Sequence, residues 1–99
     1  MDAKAQTMYA ALKDLDLTTS VLLQAVEAQD GDKAHEAVSV LLAQGLDYFG
    51  VTHPVMQQFV PVWRAIKDHI YASRLAKARD QTRIWQRQLN EVITILEKS

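Results

Sequence analysis

The stretch Pro54–Ser99, PVMQQFVPVWRAIKDHIYASRLAKARDQTRIWQRQLNEVITILEKS, contains no Gly, and from Val62 onward no Pro. Strong helix formers make up most of it. From Tyr71 an apolar stripe steps by alternating fours and threes: Tyr71, Leu75, Ala78, Thr82, Trp85, Leu89, Val92, Leu96. A stripe of this seven-residue period is the pattern with which one helix grips another. An earlier stripe, Phe59, Trp63, Ile66 and Ile70, has the same period in a different phase, because Ile70 and Tyr71 are adjacent. Such a jump marks either a stutter in one helix or a place where the chain turns back. No Gly or Pro supports a turn, so the expectation is one continuous helix over 62–97, with 73–80 as the region where a break would fall and Asp80 as the residue to cap a new helix. A helix from Val62 to Lys98 is about 55 Å long at ~1.5 Å per residue, longer than a compact domain of this size is wide. A projecting helix of that length needs a partner.

The rest of the chain is helical in the same sense. The first helix is expected over 3–29, capped by Asp2, with a stripe of Met8, Leu12, Leu15, Thr19, Leu22 and Val26. Leu17, Val21 and Leu23 widen its apolar face, and the run from Leu17 to Val21 is its weakest part, being rich in β-branched and hydroxyl residues. Gln29-Asp30-Gly31-Asp32 stops it: Gly31 is expected in the left-handed conformation, with Asp30 or Asp32 capping the next helix. So short a connection makes the first two helices an antiparallel hairpin. The second helix spans 33–49 and faces inward with Ala34, Val38, Leu41, Gly45 and Tyr48; Leu42, Leu46 and Phe49 widen the face. Gly45 costs about 1 kcal/mol against Ala in a helix interior and is expected at the closest helix crossing. Gly50 ends the helix, Thr52 and Pro54 open the next, and Pro61 confines the following segment to a short helix over 54–60. The fold class is therefore all-α, a single domain over residues 1–99: an N-terminal helical hairpin packed on a long C-terminal helix.

Composition limits the function. With 48% apolar and 23% charged residues the chain is ordinary for a folded protein. It has no cysteine, which excludes disulfide and thiolate chemistry and mildly favours a reducing compartment. No apolar run approaches the ~18 residues of a membrane span, and the N-terminus carries no signal-peptide pattern, so a cytoplasmic location is expected. His35, His53 and His69 are too far apart to form a helical metal-ligand pair, and His53 suits a turn or cap. The serines lie in helical contexts or at the terminus, and the glycines are isolated, so no nucleophile elbow or phosphate loop is present. The expectation is no catalytic residue, no metal and no cofactor.

Charge is divided unevenly. Residues 1–50 carry eight acids and three bases, residues 51–99 four acids and eight bases. The acidic half either lies against the basic half or leaves it free for an anionic partner. Arg79, Arg83 and Arg87, at i, i+4 and i+8, form a ridge of guanidinium groups suited to carboxylates or phosphates. The expected function is a non-enzymatic protein-interaction domain (an adaptor, chaperone or regulator) acting through a helical groove on an acidic or helical protein. A homodimer is expected through Tyr71, Leu75, Ala78, Trp85, Leu89, Val92 and Leu96, with Trp85 as anchor. The alternative is a nucleic-acid-binding regulator using the arginine ridge on phosphates; no membrane partner is expected.

Overall fold

The structure, a computed structural model, describes residues 2–99. It is all-α: α1 (Ala3–Glu27), α2 (Gly31–Phe49), α3 (Pro54–Tyr71) and α4 (Leu75–Lys98). Short connections reverse the chain each time. The contacts run α1 to α2, α2 to α3, α3 to α4 and α4 back to α1, which closes a four-helix antiparallel bundle. The longest dimension is 42 Å, close to the roughly 37 Å of a 25-residue α1 at ~1.5 Å per residue.

The continuous helix expected over 62–97 is not present. The chain turns back through Ala72, Ser73 and Arg74, where the two apolar stripes change phase. The turn is a Schellman motif: Ser73 N–H donates to the Ile70 carbonyl and Arg74 N–H to the His69 carbonyl, at 3.0 and 2.8 Å. Ser73 holds the left-handed conformation, φ 58°, usually given to Gly. α4 starts at Leu75 with Arg74 at the cap and no side-chain capping bond, so Asp80 lies within the helix and caps nothing. The short helix over 54–60 is also absent as a separate element, because α3 runs through Pro61. Pro61 is exposed, so its ring takes no place in the core, and α3 continues past it without that one N–H.

The α1–α2 turn repeats the device. Gln29 takes φ 57° while Gly31 opens α2; Gln29 N–H donates to the Val26 carbonyl and Asp30 N–H to the Ala25 carbonyl. The Asp30 carboxylate then accepts from Lys33 N–H at 3.1 Å. Asp2 caps α1 as expected, accepting from Ala5 N–H at 2.7 Å. Gly50 closes α2 with φ 74°. The cap of α3 is His53, whose Nδ1 accepts from Val55 N–H, with Pro54 in the first turn.

One layer at mid-height joins all four helices. Gly45 of α2 lies under the Trp63 indole of α3; a Cβ there would fall 2.5 Å from the ring. The Trp63 ring meets Trp85 of α4 edge to face at 5.3 Å, and Phe59 meets Trp85 at 4.8 Å. Trp85 Nε1–H donates to the Thr19 hydroxyl of α1 at 2.8 Å, and that hydroxyl donates to the Leu15 carbonyl. Thus Gly45 admits a side chain rather than a backbone, and the weak run of α1 contains the one hydroxyl that Trp85 needs. The indole N–H of Trp63 is buried with no acceptor among the described residues.

Candidate protein-interaction groove

The stripe expected to bind a second copy is used inside the bundle. Ala78, Trp85 and Leu89 are fully buried against the other helices of the same chain, and Leu75, Val92 and Leu96 are half-buried beside them. Tyr71 alone of the stripe is exposed; its ring takes the edge of His35 at 3.8 Å and lies 5.4 Å below the Lys67 ammonium. A homodimer through Trp85 and Leu89 would require the bundle to open.

The arginine ridge lies on α4, but its charge is partly answered. Arg79 pairs with Asp80 at 3.2 Å and Arg83 with Glu27 of α1 at 3.8 Å, both half-exposed. Arg87 has no ion pair among the described residues. Exposed pairs of this kind are worth about 0–1 kcal/mol and are easily exchanged, yet they place a carboxylate beside two of the three positions.

The surplus apolar surface lies elsewhere. Leu17 and Val21, read as part of the inner face of α1, are 68% and 57% exposed. Val21 and Val40 border a groove between α1 and α2 whose charged rim is mixed: Asp30, Lys33 and Glu36. At one end of the bundle Met8, Phe49 and Leu96 line an open recess, beside which Tyr48 donates to the Asp14 carboxylate at 2.6 Å. That bond first, then partial burial and the charges of Asp14 and Asp47, raise the Tyr48 phenol above its ordinary value of 10.

The third groove, between α2 and α3, differs from these. Its volume is roughly 580 Å³; Leu42, Leu46, Val51, Met56 and Val60 give it apolar walls, and Arg64 and Lys67 stand on its rim without any carboxylate in the lining. Leu46 is 47% and Val51 73% exposed. Because α2 and α3 are antiparallel, Val51 and Met56 lie at one end and Leu42, Arg64 and Lys67 toward the other. Pro61 also lines the groove; lacking an N–H, it leaves the Gln57 carbonyl without its helical donor. This groove is not among the sequence-based expectations. Leu42 and Leu46 were noticed only as widening a core face, and their excess over what one inner face can bury was the available signal.

Among the described residues no group of three or more His, Asp or Glu side chains gathers to hold a metal, and no helix is long and apolar enough to cross a membrane. No family model matches the chain, and neither a curated protein nor a solved structure is significantly similar to it.

Proposed function

We propose that this chain is a non-enzymatic protein-interaction module that receives a segment of another protein in the groove between α2 and α3. The observation that carries this reading is the exposure of Leu46 and Val51 on the walls of one continuous apolar groove. Single exposed aliphatics are normal on any surface; two that share a groove with half-buried Leu42 and Val60 make a patch of the kind that interaction sites use. Support also comes from Pro61. A proline inside a helix costs about 3 kcal/mol where the conformation must be held, and sequences break such local rules most often where function asks for it.

The test is site-specific photo-cross-linking in cells that produce the protein. A benzophenone side chain at Leu46 or Val51 is expected to capture a defined partner that then binds the purified protein, and the same probe at Gln88 on exposed α4 is expected to capture none. Equal capture from both faces, or none from Leu46 and Val51, would end this reading. The partly neutralised ridge of Arg79, Arg83 and Arg87 is given only a steering role, raising the rate of encounter with an acidic partner.

A further inference from the structure

Resting on the groove as a docking site, we infer that its occupant is an acidic amphipathic helix, seated with its apolar face on Leu46, Val51 and Val60 and with carboxylates at the end marked by Arg64 and Lys67. The argument is charge complementarity with direction. The lining has two cations and no anion. Arg64 has no carboxylate within ion-pair distance among the described residues, although Asp68 follows it by one helical turn. Asp47, next to Leu46, lies outside the lining. The groove between α1 and α2 is comparable in size, but its Asp30 and Glu36 outnumber Lys33, so it lacks the uniformly cationic rim of the α2–α3 groove.

The shape favours a helix. Two antiparallel helices form a trough whose walls repeat at helical spacing, and an amphipathic helix presents residues at i, i+3, i+4 and i+7 to such a trough. Charged rims add rate and orientation more than affinity, so the aliphatic walls supply most of the hold and the cations choose the sign and register.

The experiment uses the full chain and three fluorescein-labelled helical peptides of about 18 residues, long enough to populate helix in isolation. All three carry leucines at i, i+3, i+4 and i+7; their flanks are glutamate, lysine or glutamine. Fluorescence anisotropy is expected to show the glutamate peptide binding about tenfold more tightly than the glutamine peptide, a difference of about 1.4 kcal/mol, and the lysine peptide weakest. In Arg64→Glu/Lys67→Glu the preference should reverse toward the lysine peptide, and in Leu46→Asp all three should lose binding. Both variants change exposed or half-exposed positions, and circular dichroism checks that they fold. If the glutamine or lysine peptide binds wild type best, the acidic occupant is wrong while the groove stands. If no peptide binds, or if binding survives Leu46→Asp, the helical occupant is overturned, and photo-cross-linking from Leu46 decides whether the groove falls with it.

Discussion

Thr19 shows how much one oxygen can settle. Its hydroxyl accepts the Trp85 indole N–H at 2.8 Å and donates onward to the Leu15 carbonyl at 2.8 Å, both in a fully buried setting. Thr19→Val keeps the shape and removes the acceptor, leaving a buried indole N–H unpaired, which costs about 1–3 kcal/mol. The expected result is a urea midpoint lowered accordingly with an unchanged slope, and near-wild-type stability for Thr19→Ser; a loss in Thr19→Ser with none in Thr19→Val would mean that the methyl group matters and the bond does not. Gly45 sets two rules against each other. Gly to Ala in a helix interior gains about 1 kcal/mol of helix propensity, but here the new methyl would stand 2.5 Å from Cζ3 of Trp63 and 3.1 Å from the Met56 methyl. Rigid rings cannot retreat as a flexible side chain can, and overpacking costs about 1–3 kcal/mol. Gly45→Ala is therefore expected to destabilise, and a smaller ring in Trp63→Phe should remove part of that penalty, so that the double variant in denaturant titration is less than additive. The sequence singled out Gly45 for close approach but not the Trp63 ring that makes it, because which side chain crosses which helix depends on tertiary register.

At the level of the element, helix against strand was legible throughout, and the connections were only partly so. The periodicity of α1 and α2 and the caps at Asp2, Asp30 and His53 lie in local sequence, where one residue and its next turn suffice to decide. The α3–α4 turn does not. Its motif needs a left-handed residue, and the chain supplies Ser73, as it supplies Gln29 at the α1–α2 turn beside a Gly31 that has no such need. Residues with a Cβ pay about 1–2 kcal/mol in that conformation, so neither announces a turn; what holds them there is the packing of the helices on either side. The jump of phase between Ile70 and Tyr71 was the true signal, since a straight helix would carry the Trp85 stripe away from the face that Trp63 uses. Ser73→Gly is consequently expected to stabilise the fold by up to about 1 kcal/mol, the relief of strain less the extra entropy of Gly in the unfolded chain. Thermal unfolding should show it as a rise of a few degrees. A fall would mean that Ser73 contributes something beyond its backbone geometry.

On the scale of the molecule, the closed ring of helices changes the meaning of the charge and apolar patterns. The acidic half (α1, α2) and the basic half (α3, α4) meet along two seams, yet the described ion pairs between them amount to Arg83 with Glu27. Most of the division is left on the surface, where it can orient an approaching partner. A projecting helix would leave the seam through Trp85 wet and in need of a partner; folding α4 back on α1 and α3 buries it with no second chain. Two substitutions separate these accounts. Trp85→Asp puts a carboxylate at a position with no solvent exposure, in contact with Trp63 and Phe59. An uncompensated buried charge added to the loss of a core indole, about 3–5 kcal/mol for the indole alone, approaches the whole stability of a small domain. Circular dichroism should then report loss of cooperative unfolding. Leu46→Asp, on the open groove, should keep the melting temperature within a few degrees, as surface changes do, and light scattering should find wild type and Leu46→Asp in the same oligomeric state. A folded monomer from Trp85→Asp together with a dimeric wild type would reverse the assignment: α4 would belong to a subunit interface, and the groove between α2 and α3 would have to be re-examined as a surface facing a second copy.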